Sequence, residues 1–187
     1  AGTSRRIRHC ADMTIDNPSS RPDEPIRLVP HDPAWAARFR DEAEALASLI
    51  RPWITGGIHH VGSTSVPGLD AKPIIDIAVG VASLDACRPC IDLLAELDYR
   101  YAPYRADVMH WFCKPDPARR THHLHLIPSS SERFTDELAF RNYLRAHPSQ
   151  AMDYAALKHR LAAEHRDDRE AYTQAKAGFV ALVTARA

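Results

Sequence analysis

The sequence lacks a net charge and any apolar run of membrane-spanning length. Its 24 lysines and arginines balance 24 aspartates and glutamates, so no overall positive field attracts nucleic acid or anionic lipid. The longest apolar run, residues 74–81, is far shorter than the roughly 20 residues that span a bilayer. We therefore expect no nucleic-acid partner and no membrane partner, and a small molecule or another protein fits the composition better.

Cysteine is scarce as well, with four residues in the chain. The basic residues Arg5, Arg6 and Arg8 are not followed by the apolar stretch of a signal peptide. Without that export signal, the cysteines are expected to be thiols in a reducing compartment rather than a disulfide framework. The predicted location is cytoplasmic.

The order of periodic segments predicts an α/β (α+β) fold. Residues 1–25 lack apolar periodicity and are predicted to be a flexible tail, and residues 26–187 a single domain. Its α/β part, 26–130, should form a small mixed twisted sheet of about five strands flanked by helices, and 131–187 a helical C-terminal lobe. Strands are predicted near 26–29, 58–61, 74–81, 99–104, 108–114 and 122–127. Helices are predicted near 33–50, 83–97, 135–146, 149–165 and 168–185.

A turn of small residues follows the strand that ends at Val61. Gly62, Ser63, Thr64 and Ser65 let backbone N–H groups approach a phosphate, and the three hydroxyls add donors. No Gly-Lys-Ser/Thr ends the segment, so it is not a Walker A loop. The turn is therefore either a phosphate cradle or an ordinary tight turn.

Asp76 favours the phosphate cradle over the ordinary tight turn. It lies between Ile75 and Ile77 on an apolar strand, where a carboxylate must be hydrogen-bonded, paired or metal-bound. A Gly-Ser turn followed by such an aspartate is the pattern of the polymerase-beta-type nucleotidyltransferase superfamily. The segments 60–69 and 71–77 together resemble the signature of the GrpB family.

The resemblance covers nearly everything from residue 26 onward. Further matching segments are 28–30, 32–33, Trp35, 120–125, 140–141, 143–145, 147–148, Tyr154, 157–158, Tyr172 and Lys176. It implies a nucleotidyltransferase-like fold, a turn that holds the phosphates of a nucleotide such as a nucleotide triphosphate, and a divalent metal (Mg, Mn or Zn) at Asp76. Some GrpB relatives are fused to dephospho-coenzyme A kinase, and the activity of the family is poorly defined.

The usual second carboxylate of active nucleotidyltransferases is missing. It stands two residues after the first, where this chain has Ala78. Two-metal catalysis uses both carboxylates to position the cations. Either other ligands complete the site or transfer activity is lost.

Histidines on the last predicted strand are the candidates to complete the site. His123 and His125 share one face, because Leu124 faces the core and side chains alternate along a strand. With Asp76 they form a candidate catalytic and metal-ligating set. The alternative is a pair of solvent-facing or phosphate-contacting histidines. The resemblance places His60 in the same pocket.

Cationic residues near these motifs complete the predicted site. Lys72 and Arg120 flank the pocket motifs and are predicted phosphate or carboxylate contacts, or else solvated surface charges. On the C-terminal helices, four further cations could face one groove or simply lie on a wet helix face. They are Arg141, Arg145, Lys158 and Lys176.

Cys87-Arg88-Pro89-Cys90 offers a different function. A Cys-x-Pro-Cys at a helix start resembles the thioredoxin redox motif, in which the helix N-terminus lowers the pKa of the first thiol. No matching proline loop follows, and Cys87 is predicted to pack on the apolar face of the helix. The leading prediction is a metal-dependent nucleotidyl or phosphoryl transferase acting on a small molecule. The alternatives are a catalytically silent nucleotide-binding or regulatory module and, more remotely, a thiol redox protein.

Overall fold

The structure, a computed structural model, describes residues 24–187. The flexible-tail prediction falls on residues 1–25, of which all but the last two lie outside the described residues. Ile26 is buried against Leu161 and Tyr172. Its N–H donates to the backbone oxygen of Arg166 at 2.8 Å, so this segment is held by the helical C-terminal part.

Five strands form one mixed sheet. They are β1 (Ile54–Val61), β2 (Ile75–Val81), β3 (Arg100–Ala102), β4 (His110–Pro115) and β5 (Arg120–Pro128). Their order across the sheet is β1-β2-β5-β4-β3, with β2 and β5 parallel and the other neighbours antiparallel. The predicted α/β fold with a small mixed sheet is confirmed.

Helices cover the sheet and form the C-terminal part of the chain. They are α1 (Ala34–Ile50), α2 (Cys90–Leu93), α3 (Glu132–Ala146), α4 (Pro148–Glu164), α5 (Arg169–Ala175) and α6 (Ala177–Thr184), with single 3-10 turns at Arg51–Trp53, Ser63–Ser65 and Leu94–Leu97. Side chains cap the starts of two of them: Ser131 Oγ accepts the Phe134 N–H of α3 at 3.3 Å, and Asp168 Oδ1 accepts the Ala171 N–H of α5 at 2.9 Å. Asp32 Oδ1, just before α1, accepts the Ala34 N–H at 2.9 Å. Among the described residues, none of these helices combines the length and apolarity needed to cross a membrane.

Strand β2 is buried on both faces, as its continuous apolar sequence predicts. Ile75, Ile77 and Val79 pack in the cluster that contains Trp35 of α1. On the opposite face, Ala78 packs with Phe134 of α3. Alternation along the strand therefore gives Asp76 the same face as Ala78, toward α3 and the C-terminal helices.

Two glycines let α3 approach the sheet closely. Gly56 of β1 and Gly80 of β2 lie side by side, and a Cβ built on Gly80 would be 2.6 Å from the Gly56 Cα and 2.9 Å from the Phe134 ring. No side chain larger than hydrogen fits between them. Phe134, in the first turn of α3, thus rests directly on the backbone of the sheet.

Three predicted elements differ from the structure. The strand predicted at 26–29 is wrong, because only Val29 bridges to Ala71. The helix predicted at 83–97 shrinks to α2 and a 3-10 turn, because Pro89 supplies no N–H and the preceding residues form turns. The single helix predicted at 168–185 is two helices that meet at Lys176.

Candidate active site

The site begins where β1 ends, at a glycine that allows two backbones to approach. Gly62 adopts φ +67°, a region that favours glycine. A Cβ there would overlap Asp76 Oδ2 and lie 2.9 Å from the Asp76 Cβ. The turn is therefore seated directly on the carboxylate predicted from the sequence.

Asp76 pairs with His123 across the parallel strands. The two residues are register partners of β2 and β5, and His123 Nδ1 lies 2.8 Å from Asp76 Oδ1. Burial raises the pKa of Asp76, but the hydrogen bond from His123 and the electrostatic attraction of the neighbouring basic side chains, Lys72 among them, outweigh it and hold the pKa at about 2. The carboxylate is therefore ionised at neutral pH.

The ionised partner fixes the tautomer of His123. A carboxylate only accepts hydrogen bonds, so Nδ1 must carry the proton. Burial lowers the pKa of His123 despite its bond to Asp76, so the ring is neutral and Nε2 holds a lone pair. That Nε2 is buried and has no hydrogen-bond partner among residues 24–187. It is available to a proton or a metal ion.

His125 repeats this arrangement two residues further along β5. Its Nδ1 lies 3.3 Å from Glu137 Oε1 on α3, and Arg133 Nη2 lies 2.8 Å from the same oxygen. Burial raises the pKa of Glu137, but His125 and Arg133 outweigh it and the net shift is downward. Each histidine is thus oriented by an ionised carboxylate, as metal-binding histidines commonly are.

The hydroxyls of the turn hold the turn together. The Thr64 hydroxyl donates to the backbone oxygen of Ile74 at 3.1 Å, and that of Ser65 to the backbone oxygen of Gly62 at 2.6 Å. Ser63 and Thr64 line the cavity, whereas Ser65 does not, and the Ser63 hydroxyl is not used in these two bonds within the turn. It is in hydrogen-bond contact with Tyr154 of α4.

His60 supports the turn from behind. It is 7 % exposed, stacks on Phe39 with ring centroids 4.8 Å apart, and its Nε2 lies 3.0 Å from Thr64 Oγ1. Burial, reinforced by the nearby arginines of α3, lowers its pKa to about 4. His60 and Ser65 are not among the described residues that line the cavity.

Two arginines of α3 bind the backbone of this segment. Arg141 Nη1 donates to the His60 carbonyl at 3.0 Å, and Arg145 donates to the Ser65 carbonyl at 2.9 and 2.7 Å. From the sequence, these residues could either face a ligand groove or lie on a solvent-exposed face of the helix. Their observed role is to fix the turn against α3.

One cavity of about 550 Å³ lies above the Asp76–His123 pair. It is lined by the turn, by the polar face of β2 and β5, by β4 and the end of β3, and by α4 and α5. Six basic side chains line it against two carboxylates. The basic residues are Lys72, Arg120, Arg133, Lys158, Arg169 and Lys176, and the acidic ones Asp76 and Glu170.

Three of these cations cluster around two tyrosines. Lys72 Nζ and Lys176 Nζ lie 5.4 and 4.1 Å from the centroid of the Tyr172 ring, and Lys158 Nζ lies 4.9 Å from that of Tyr154. Burial lowers the pKa of Lys176 to about 7 and that of Lys158 to about 8, and the charge of Lys72 adds to both shifts. Crowded, partly desolvated ammonium groups of this kind are stabilised when an anion binds.

The predicted metal set is brought close but is internally paired. Among residues 24–187, no group of three or more His, Cys, Asp or Glu side chains is placed to hold a metal ion. Asp76 contacts His123 directly, and His125 is bound to Glu137. An ion would therefore have to use Asp76 Oδ2 and the Nε2 atoms, with its remaining ligands from a substrate or water. The metal set stays a prediction.

The cysteine motif lacks the properties of a redox site. Cys87 and Cys90 are fully buried, and Cys90 opens a helix of only four residues. Burial raises the pKa of Cys87 to about 11 and that of Cys90 to about 12. A reactive thiol needs the opposite shift. As predicted, Cys87 packs in the core.

Sequence reasoning missed Glu137, Arg133, Trp111 and Tyr104. Each lies on an element whose local pattern resembles any amphipathic helix or strand, and only the packing of α3 and β4 around the cavity gives it a role. One feature could have pointed to Trp111: if β4 pairs antiparallel with β5, Trp111 lies beside His125, its register partner.

Comparison with known proteins assigns the chain to a family and supports the fold. The GrpB protein family model matches residues 25–186. A UPF0157 protein of Pseudomonas aeruginosa is 41% identical over 175 residues, which cover 90% of this chain and 70% of that protein. The crystal structure of conserved protein GrpB from Enterococcus faecalis superposes with a TM-score of 0.78 at 33% identity, covering 86% of this chain and 96% of that one.

A more distant relative carries an enzyme's name. A protein of Mycolicibacterium paratuberculosis named dephospho-CoA kinase is 29% identical over 185 residues, covering 81% of this chain but 43% of that protein. The likeness thus concerns less than half of that longer protein. Because the family model and the superposed structure both span nearly the whole described fold, this chain belongs to the GrpB family.

Proposed function

We propose that this protein binds a nucleotide or a closely related phosphate-bearing small molecule and transfers a nucleotidyl or phosphoryl group from it. The observation that carries the proposal is the cluster of Lys72, Lys158 and Lys176, which lines the same cavity as the Asp76–His123 pair. A transferase of this kind needs an anion-binding group of residues next to a proton acceptor, and the lysines and His123 are the residues we propose for these two roles.

The lysine cluster supports the phosphate end. Three ammonium groups crowded near Tyr172 and Tyr154 repel one another, and an anion between them removes that repulsion. Lysine is a common ligand of phosphate as a compact point charge. The Ser63 hydroxyl at the mouth of the turn adds a neutral donor.

The Asp76–His123 pair supports the transfer step. An acceptor hydroxyl would attack the phosphorus atom, the bond from phosphorus to the leaving phosphate would break, and the hydroxyl proton would pass to His123 Nε2. Asp76 holds the ring in the tautomer that this step needs and stabilises the resulting imidazolium. A divalent ion (Mg, Mn or Zn) held by Asp76 and His125 Nε2 would neutralise charge on the phosphate oxygens when bound, and would leave His123 Nε2 free to accept the proton. If His123 Nε2 were also a ligand of the ion, its lone pair would be occupied and the hydroxyl proton would have to pass to water instead.

A catalytically silent ligand-binding module is the second candidate, and Ala78 favours it. This residue stands where active nucleotidyltransferases carry their second carboxylate, and it is fully buried against Phe134. Glu137 of α3 is a carboxylate on the same side of the sheet, but it is paired with His125 and Arg133. A binding module would keep the lysine cluster without turnover.

Binding is tested by isothermal titration of the protein with ATP and with inorganic triphosphate. Lys176→Met should weaken the binding of both ligands by about tenfold or more, since a hydrogen bond to a charged group contributes about 1.5–3 kcal/mol. The matched control Arg160→Met removes an exposed charge of α4 that pairs with Glu164, and should leave binding unchanged. Equal affinity in both variants, or no binding of any phosphate compound at millimolar concentration, would refute the proposal.

Turnover separates the two candidates. Radiolabelled nucleoside triphosphate is incubated with the protein and Mg²⁺, Mn²⁺ or Zn²⁺, and product is measured in the parent, Asp76→Asn and His123→Ala. A transferase should lose nearly all turnover in both variants, because residues that act as a unit give non-additive losses. Tight binding without turnover in the parent would identify the silent module. Turnover that persists in Asp76→Asn would exclude the mechanism at this pair.

A further inference from the structure

The cavity has a second end that the phosphate chemistry does not use. Trp111 of β4, Tyr104 just after β3 and Arg120 at the start of β5 line it together. The Arg120 guanidinium lies 5.4 Å from the centroid of the Trp111 ring, and the Tyr104 ring centroid 6.4 Å from it. Three planar groups therefore meet at one wall.

Tyr104 is unusual among the aromatic residues of the protein. It is 42 % exposed, whereas the other exposed large hydrophobic side chains of the described residues, Met152 and Leu182, are not aromatic. Its ring stands at the rim of the cavity, and Trp111 behind it is partly buried. An exposed ring beside a tryptophan and a guanidinium is a surface on which another planar group stacks, because every heterocyclic base has a π-face.

His123 connects this wall to the phosphate end. Its ring centroid lies 5.0 Å from that of Trp111, and its Nδ1 is bound to Asp76. Asp76 in turn lies within electrostatic range of Lys72 and Lys176. His123 thus contacts the aromatic wall through Trp111 and the lysine side of the cavity through Asp76.

We infer that Trp111 and Tyr104 form the subsite for the base of a nucleoside phosphate, with its phosphates at the lysine cluster. This inference rests on the proposed function and deepens it, since a phosphorylated sugar or alcohol would use only the lysine end. Stacking is stronger for a larger ring system, so we expect purine nucleotides to bind more tightly than pyrimidine nucleotides.

The test compares ligands with and without a base. Binding of ATP, CTP and inorganic triphosphate is measured by isothermal titration for the parent, Trp111→Ala, Trp111→Phe and Tyr104→Ala. Stacking contributes about 1–3 kcal/mol per base, so Trp111→Ala should weaken the binding of ATP by about five- to 150-fold and leave the binding of triphosphate unchanged. Trp111→Phe should recover most of the loss. Tyr104→Ala should weaken the binding of ATP but not that of triphosphate. Because Tyr104 lies at the rim, this variant still tests the inference if Trp111→Ala does not fold.

Each other result has a defined meaning. Equal affinity of the parent for ATP and triphosphate would overturn the base subsite while the proposed phosphate site stands. Equal weakening of ATP and triphosphate in Trp111→Ala and Tyr104→Ala would also overturn it, because the two rings would then act only on the shape of the cavity. Absence of binding by every phosphate compound would refute the proposed function itself.

Discussion

Lowering the pH from 7 to 4.5 should destabilise this protein through two buried histidines, His60 and His122. Burial is the main cause that lowers the pKa of each to about 4, from 6.5 in the unfolded chain. Between these values the unfolded chain binds more protons than the folded one, so a falling pH favours unfolding. At pH 4.5 the cost is about 2 kcal/mol for each ring.

The neighbourhoods of the two rings explain why protonation is unfavourable. His60 stacks on Phe39 and lies near Arg141 and Arg145, whose charges oppose an imidazolium. His122 lies near Lys114, which also opposes protonation, and Glu42, which only partly offsets burial. Together the two rings cost about 4 kcal/mol, a large part of the roughly 5–15 kcal/mol that stabilises a typical domain.

Urea denaturation followed by circular dichroism measures the effect directly. The free energy of unfolding is determined at pH 7 and pH 4.5 for the parent, His60→Gln, His122→Gln and the exposed control His147→Gln. Each buried substitution should reduce the loss between the two pH values by about 2 kcal/mol, whatever it costs at pH 7. The control should match the parent. A loss of the same size in all four proteins would refute the reasoning.

Three further predictions concern the site and the core. Gly62→Ala should lower the free energy of unfolding, measured by urea denaturation, by about 2 kcal/mol or more, because of the positive φ of Gly62 and the overlap with Asp76. It should also abolish nucleotide binding, and unchanged binding would contradict the close contact of the turn with that carboxylate. Lys114→Met should cost about 3 kcal/mol, because it removes the ammonium 2.6 Å from the largely buried Glu42 carboxylate and leaves it weaker partners such as His122 at 4.0 Å. The double variant with Glu42→Leu should recover most of this, and a double variant no more stable than Lys114→Met would contradict the pairing. When an anion binds near pH 7.5, the protein should take up protons, because the lowered pKa of Lys176, about 7, rises beside the anion. The number of protons taken up is measured by titration calorimetry in buffers of different ionisation enthalpy, and a value of zero would refute the prediction.

Local patterns were sufficient for the central strands and for the first member of the site. A continuous apolar run predicted the buried strand that became β2, and an acidic residue inside it marked Asp76 as paired or liganded. Alternation along β5 correctly placed His123 and His125 opposite the core-facing Leu124. These inferences succeeded because each depends on neighbours within a few residues.

The remaining features depend on pairing between distant segments. The bond between Asp76 and His123 exists because β2 and β5 pair in parallel at that register, and no local pattern fixes a register between strands 47 residues apart. Glu137 reaches His125 only because α3 lies over the sheet. The strand predicted at 26–29 had a suitable apolar sequence, but only Val29 found a pairing partner.

The contact between Phe134 and the glycine pair also determines how the cavity could be reshaped. Since α3 rests on bare backbone at Gly56 and Gly80, one added methyl group on either strand would push this helix outward. Arg133, which lines the cavity, would move with it, because it belongs to the same helix. Laboratory evolution toward bulkier substrates could therefore act at these two positions, which widen the cavity without altering any residue that lines it.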